Sequence, residues 1–317
     1  MAAGSPPTDN LTIAICTWNR APLLAMTLER LGEPGVLTGS AEVLVVDNGS
    51  TDDTPGVVAR CQDRLPLRMV REPEQGISPA RNRALEEATG SHIVYIDDDV
   101  LVGPGWLDAY RAAFRAHPEA GVFGGPIRAR FLGTPPEWLL QALPMVSSAY
   151  AIRELGPGEF PLEPTPPKLP YGANMAFHLD QARQHRFDPI LGRVRKGMVG
   201  GEEIAFMARM LDAGATGWWV PQAGVEHLLP AKRQTLQYLR RYFEGLGMTQ
   251  YRSEKPVRGR FELAGVPSWL WRQYAAARLR YWRARLASPV TVWLPRFEEF
   301  ATYRGRIRSY RAAAAKS

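Results

Sequence analysis

Three adjacent carboxylates, Asp97, Asp98 and Asp99, follow directly on an apolar, β-branched stretch, Ile93-Val94-Tyr95-Ile96. Like charges a few ångströms apart repel by roughly 1 kcal/mol in water and by several times that in a half-dry cleft. Such a cluster needs water or a cation to neutralise it. Oxygen-only donors suit hard cations, Mg²⁺ or Mn²⁺, which bridge one or two carboxylates to phosphate oxygens. An isolated acidic triplet is more often a solvated loop, so its weight depends on the polar groups the fold gathers around it.

Four further groups have the types such chemistry would use. Asp47 sits on a turn, Asp47-Asn48-Gly49-Ser50, where a strand-end carboxylate can accept hydrogen bonds from a nucleobase or ribose, or simply make the turn. Arg81 and Asn82 fall in the first turn of an expected helix, and a helix N-terminus beside a guanidinium attracts phosphate. Glu202 and Glu203 open another helix, where they either stabilise the macrodipole or act as a general base toward a hydroxyl. His227 stands alone near a strand end, which on its own reads as a satisfied core histidine. Cys16 reads as a small core residue. GxGxxG and GxxxxGK[ST] motifs are both missing from the sequence, which disfavours dinucleotide and P-loop chemistry.

The elements that must position these groups alternate strand and helix over residues 11–124. Apolar strands are expected at 11–17, 42–46, 67–70 and 92–96, with helices at 21–31, 54–61 and 104–118. Ser78 and Pro79 mark the start of one more helix, as N-cap and first helical residue, and Gly90 marks its stop. Continuous apolar strands separated by helices imply an α/β fold with a mostly parallel sheet covered on both faces. In such sheets the ligand crevice lies beyond the carboxyl ends of the strands. Asn19 and Arg20, then Asp47 and Asn48, then Asp97 to Asp99 are thereby collected on one edge.

Proline-rich residues 132–170 are expected as a long, partly ordered loop. Structure resumes at Tyr171-Gly172-Ala173-Asn174, with a helix from about 201 to 214 and strands near 216–220 and 224–227. From about residue 232 the chain reads as basic helices broken near Pro256, Pro267, Pro289 and Pro295.

At 317 residues with 45% apolar and 22% charged content, the chain has an ordinary globular composition. Cys16 and Cys61 form neither a disulfide framework nor a CxxC site, so a reducing cytoplasm is expected. Residues 1–10 lack the basic and apolar regions of an export signal and are expected as a disordered lead-in. The net charge of +7 is concentrated in residues 252–311, where arginines interleave with Trp and Tyr. That pattern suits an anionic membrane surface or a packing or dimerisation face; nucleic acid is disfavoured as a partner.

Taken in order, the segments Ile13-Ala14-Ile15-Cys16-Thr17-Trp18-Asn19-Arg20, Val45-Val46-Asp47-Asn48-Gly49-Ser50-Thr51-Asp52, Gly76-Ile77-Ser78-Pro79-Ala80-Arg81-Asn82, Tyr95-Ile96-Asp97-Asp98-Asp99, Tyr171-Gly172-Ala173-Asn174-Met175, Gly201-Glu202-Glu203 and Val225-Glu226-His227 resemble the inverting family 2 glycosyltransferases of the GT-A fold. The resemblance covers residues 11–230. It implies a nucleotide-binding half (11–124), an acceptor-binding half (125–230, including the 132–170 loop) and a basic helical extension (231–317).

By that resemblance Asp47 holds the base or ribose of a nucleotide-diphospho-sugar donor, and Arg81 lies near its diphosphate. Thr17, Asn19, Arg20, Asn48, Asn82, Asp97, Asp98 and Asn174 complete the donor-contacting set. Asp99, with Asp97 and His227, would hold Mg²⁺ or Mn²⁺. Glu203 aligns with the family's catalytic base, where many relatives carry Asp, and Glu202 is the alternative. The implied acceptor is a hydroxyl, lipid-linked or free, in glycoconjugate synthesis in the cytoplasm or at the inner face of the membrane. Two other readings keep the fold. A sugar-phosphate nucleotidyltransferase would bring a Gly-rich loop and a lysine where Thr17-Trp18-Asn19-Arg20 stands, and a non-catalytic carbohydrate- or membrane-associated module would not need the acidic motifs.

Overall fold

The computed structural model describes residues 10–164, 168–191, 201–253, 259 and 261–315. Apart from Asn10, the lead-in expected at 1–10 lies outside the described residues, as do Pro166, Pro167 and Pro256. Strand β1 (Leu11–Thr17) leads into α1 (Ala21–Leu31), β2 (Ala41–Asp47) into α2 (Thr54–Cys61), and β3 (Leu67–Arg71) into α3 (Ile77–Glu87). Next come β4 (His92–Asp97), the short β5 (Val100–Val102), α4 (Trp106–Ala116), β6 (Val122–Gly124) and β7 (Ile127–Phe131). They are followed by α5 (Glu137–Ala142), β8 (Phe160–Pro161), β9 (Asn174–His178), α6 (Leu179–Ala182) and α7 (Glu202–Asp212). The remainder is β10 (Gly217–Trp219), β11 (Val225–Leu229), α8 (Leu236–Ser253), β12 (Glu262–Leu263), β13 (Val266–Pro267), α9 (Ser268–Ala287) and α10 (Val290–Ala314).

The main sheet has the order β3-β2-β1-β4-β9-β6-β10-β8, and β5-β11-β7 form a small second sheet. The strands β1 to β4 are parallel, as their apolar runs predict. Beyond them β9 pairs antiparallel with both β4 and β6, and β10 pairs parallel with β6, so β9 is a reversed strand within a mostly parallel sheet. Alternation along each strand feeds two cores. Ile13, Ile15, Val43, Val45, Val94 and Ile96 pack with Leu24, Leu28 and Trp106 on one face. Ala14, Leu44, Val46, Ile93 and Tyr95 pack with Ala84, Leu85, Phe206 and Met207 on the other. Register places Thr17 beside Asp47 and Cys16 beside Asp97, so the polar strand ends share one edge.

Several boundaries shift by one to two residues from the sequence reading, among them α4, which starts at Trp106 and not at Pro104, and the shifts at α3 have a physical cause. Helix α3 starts at Ile77 after Gly76, whose φ of 149° only glycine adopts readily, and Ser78 is already inside it, donating to the Leu191 carbonyl at 3.0 Å. Gly90 is not the helix stop, because α3 ends at Glu87. Its missing side chain instead admits the backbone of Asn10 and Leu11, which a Cβ would strike.

His92, at the start of β4, lies face to face with Phe114 at 3.9 Å, with the edge of His178 at 5.0 Å. Its buried Nε2 has no hydrogen-bond partner among the described residues. Burial, helped by His178, pushes its pKa down from 6.5 to about 3. The folded protein therefore holds a neutral imidazole where the unfolded chain would bind a proton, and stability rises with pH between about 3 and 6.5. His92→Phe keeps the stack and removes the titration. It is expected to flatten the fall in melting temperature as pH is lowered from 6.5 toward 4, and an unchanged slope would assign that acid sensitivity elsewhere.

Residues 131–149 and 229–315 form a second compact unit. The segment 131–149, expected within the loop of the acceptor half, thus groups with the C-terminal helices, and it contains α5 and two short 3₁₀ turns rather than irregular chain. Helices α8 and α10 touch backbone to backbone at Gly247 and Gly305, where a Cβ would collide with Thr302 and Glu244. Buried Glu244 is paired with Arg308 at 2.6 Å and Arg304 at 3.3 Å. Pro295 does not break α10. It removes one backbone hydrogen bond, while Trp293, Leu294 and Phe297 around it are buried and hold the helix in place. No helix among the described residues is long and apolar enough to cross a membrane.

Candidate active site

Thr17, the last residue of β1, donates from Oγ1 to Asp98 Oδ2 at 2.7 Å. Arg20 follows three residues later and grips two carboxylates, Asp98 through Nη1 at 2.6 Å and Asp99 through Nη2. Asp98 therefore turns inward, onto the scaffold, although the sequence places it among donor-contacting residues. Burial pushes its carboxyl up to about 6; Arg20 opposes that shift and Asp99 adds to it. Burial alone would lower the pKa of Arg20, but Asp98 and Asp99 raise it above the ordinary arginine range, so it is a permanent cation here.

Asp97 closes β4 and is the most open of the three acids, with its side chain 35% exposed. Asp99 is fully buried, and its backbone carbonyl accepts from Leu228 N at 2.7 Å, which ties it to β11. From β11, His227 brings Nε2 to 3.1 Å from Asp99 Oδ2, while Nδ1 lies 2.6 Å from the Tyr150 carbonyl. A carbonyl only accepts, so Nδ1 is the donor in that contact, and the ring is held with Nε2 turned to the Asp99 carboxylate. Metal-binding histidines are held in this way, by a hydrogen bond from the opposite ring nitrogen. Ligand atoms of Asp97, Asp99 and His227 all lie within 4.8 Å of one another. This donor set fits a divalent ion. Arg20 already neutralises part of the same charge.

Arg81 is buried in the first turns of α3, with Nη1 2.8 Å from Glu202 Oε1 and Nη2 4.0 Å from Asp97 Oδ1. Gly172 makes room for it, since a Cβ there would overlap the guanidinium. The Phe187 ring lies 5.6 Å from its guanidinium carbon, and Tyr95 Oη donates to its carbonyl at 2.8 Å. Burial would lower its pKa, but Glu202, Glu203 and Asp97 hold it above the ordinary range. Helix α7 begins after Gly201 at φ 101° and presents both glutamates in its first turn. Glu202 is buried and locked on Arg81, and Glu203 is half-buried beside it. Desolvation pushes the Cys16 thiol up to about 12 against the pull of Arg81, with Asp97 and Asp98 adding to the rise, which makes it inert as a nucleophile.

The asparagines expected to contact donor serve the scaffold. Asn19, at φ 54°, accepts from Thr51 N at 2.7 Å and donates its own N–H to Ser50 Oγ at 2.9 Å, joining the loops after β1 and β2. Asp47 accepts from Ser50 N at 2.9 Å within that second loop. Asn48 donates to the Glu72 and Glu74 carbonyls and accepts from Gly76 N. Asn82 clamps the Phe187 backbone through both ends of its amide. Asn174 is fully buried, accepts from Trp106 Nε1 and Tyr110 Oη, and donates to the Pro126 and Ala223 carbonyls. Asn174→Ala takes this partner from Trp106 Nε1, Tyr110 Oη and the Ala223 carbonyl, while the Pro126 carbonyl keeps Val225 N at 2.9 Å, and it is expected to lower unfolding stability by about 3 kcal/mol. Unaltered urea unfolding with lost nucleotide binding would return Asn174 to the donor set. The sequence reading missed the Tyr150 carbonyl behind His227 and the fit of Gly172 against Arg81; both join residues far apart in the chain and leave no local signal.

A family model described as glycosyl transferase family 2 matches residues 12–165. The succinoglycan biosynthesis protein ExoM of Rhizobium meliloti (strain 1021) is 30% identical over 247 residues, covering 75% of this chain and 74% of its own. A validoxylamine A glucosyltransferase of Streptomyces hygroscopicus subsp. jinggangensis is 35% identical over 117 residues, 36% of this chain and 28% of its own. Among solved structures, the mannosyltransferase PcManGT of Pyrobaculum calidifontis, in complex with GDP-Man and Mn²⁺, aligns with a TM-score of 0.53 at 21% identity, covering 100% of this chain and 90% of that one. TarS of S. aureus aligns at 0.52 with 14% identity, covering 97% and 91%. These two share the fold, a central sheet flanked by helices.

Proposed function

The chain belongs to glycosyltransferase family 2, and we propose that it transfers a sugar from a nucleotide-diphospho-sugar to an acceptor hydroxyl with inversion at the anomeric carbon. The observation that carries this reading is the convergence of Asp97, Asp99 and His227 at the carboxyl edge of the sheet, with the Arg81 cation beside them. The Pyrobaculum mannosyltransferase that shares the fold binds a ligand pair of the proposed class, GDP-Man with Mn²⁺.

A divalent ion held by Asp97, Asp99 and His227 would act as a Lewis acid toward the departing diphosphate. Arg81 adds a fixed positive charge that needs no reorganisation as the leaving group ionises. Its pairing with Glu202 fixes where that charge points. Asp47, at the end of β2, accepts from the donor's ribose or base in this scheme. Glu203, half-buried in the first turn of α7, takes the proton from the attacking hydroxyl. Attack from the face opposite the diphosphate inverts the centre in a single displacement, without a covalent enzyme intermediate. Likeness to the succinoglycan biosynthesis protein ExoM supports an acceptor in polysaccharide synthesis.

Thermal unfolding with UDP, GDP or CDP, each with MnCl₂ or EDTA, tests the reading. A diphosphate at a hundredfold excess over its Kd should add about 2.7 kcal/mol to folded-state stability, and only with metal present. No shift with any diphosphate, or equal shifts in EDTA, would overturn the metal-assisted scheme.

A further inference from the structure

Helix α9 carries apolar side chains on two opposite faces. Leu270, Ala277 and Tyr281 are buried, and Tyr281 stacks on Phe300 at 5.9 Å. At about 100° per residue, Leu279, Trp282 and Leu286 fall on the reverse side, spaced i, i+3 and i+7. They are 52%, 51% and 85% exposed. An apolar stripe on the outer side of a helix whose inner side is already packed has no use in the fold of this unit.

The borders of that stripe are cationic. Helix α9 contains Arg272, Arg278, Arg280, Arg283 and Arg285 and no acidic residue. Arg280 is paired with Glu299 at 2.7 Å, and Arg285 lies over Trp293 at 4.6 Å. Arg272, Arg278 and Arg283 are exposed and form no ion pair with any described residue. Long arginine stems flanking an apolar stripe with a tryptophan match a helix lying in a membrane interface, with guanidinium groups reaching the phosphate layer. The charge selects among occupants. A second copy seated on the same face would bring cationic borders against each other, and nucleic acid would leave Leu279 and Leu286 in contact with a polar backbone.

We propose that the outer face of α9 docks in the plane of an anionic bilayer surface, with Leu279, Trp282 and Leu286 among the acyl chains and Arg272, Arg278 and Arg283 at the lipid phosphates. This goes beyond the sugar-transfer reading and stands without it. The full chain is sedimented with vesicles of phosphatidylglycerol and phosphatidylcholine in equal parts, and with phosphatidylcholine alone. Binding to the anionic vesicles is expected to be stronger by about a hundredfold, from three arginines near the charged surface. Leu279→Gln with Leu286→Gln should weaken it about tenfold or more with an unchanged circular dichroism spectrum, and Arg278→Gln with Arg283→Gln should remove most of the preference for anionic lipid. Three results overturn the proposal: no vesicle binding, vesicle binding unaffected by the leucine pair, or loss of a homodimer on the leucine substitutions without vesicle binding in the parent protein.

Discussion

Glu203→Gln is expected to slow sugar transfer by about 10²–10⁴-fold while changing nucleotide-diphosphate affinity by less than about twofold. Glutamine keeps the shape and hydrogen-bonding reach of the side chain in the first turn of α7, but it cannot take a proton from the acceptor. The neighbouring substitution has a different signature. Glu202 holds the buried Arg81 at 2.8 Å, so Glu202→Gln leaves a buried cation poorly matched and should cost about 3 kcal/mol of stability and disturb donor binding. The two variants are separated by measuring kcat, KM for donor and melting temperature together. If Glu203→Gln keeps full turnover while Glu202→Gln loses it at unchanged stability, the base is Glu202 and the assignment is reversed.

That pair also shows what the sequence can and cannot reveal. Strand ends at Thr17, Asp47 and Asp97 are legible because apolar runs fix β1, β2 and β4, and parallel topology then puts their carboxyl ends on one edge. Which of two adjacent glutamates faces a buried arginine is not legible, since Arg81 is 121 residues away in sequence. The asparagines show the same limit. Asn82 reaches Phe187 across 105 positions and Asn174 reaches Tyr110 across 64, so their amides look available for ligand in the sequence and are engaged by the scaffold in the fold. His227 alone on its strand resembles a core histidine; its partners, Asp99 and the Tyr150 carbonyl, come from remote segments. Residues 131–149 join the C-terminal helices because α5 packs on α10, a pairing that proline content does not encode.

Asp99→Asn is expected to lower Mn²⁺ affinity by at least about a hundredfold, more than the loss usual for a residue that only supports a ligand. The substitution removes the charge that faces both His227 Nε2 and Arg20 Nη2, and leaves Arg20 paired with Asp98 at 2.6 Å, so the fold keeps one of its two anchors there. Asp98→Asn is the internal control: Asp98 points at Thr17 and Arg20, and its loss should leave Mn²⁺ affinity within about tenfold while loosening the β1 loop. Arg20→Gln probes the same balance from the other side. Arg20 sets a positive charge against the same carboxylate, so removing the guanidinium should tighten Mn²⁺ binding, read by calorimetry or by the electron paramagnetic resonance of free Mn²⁺. Should Asp99→Asn bind Mn²⁺ as the parent does while Asp97→Asn does not, the ion rests on the open carboxylate, and Asp99 belongs to Arg20 and His227 as part of the scaffold.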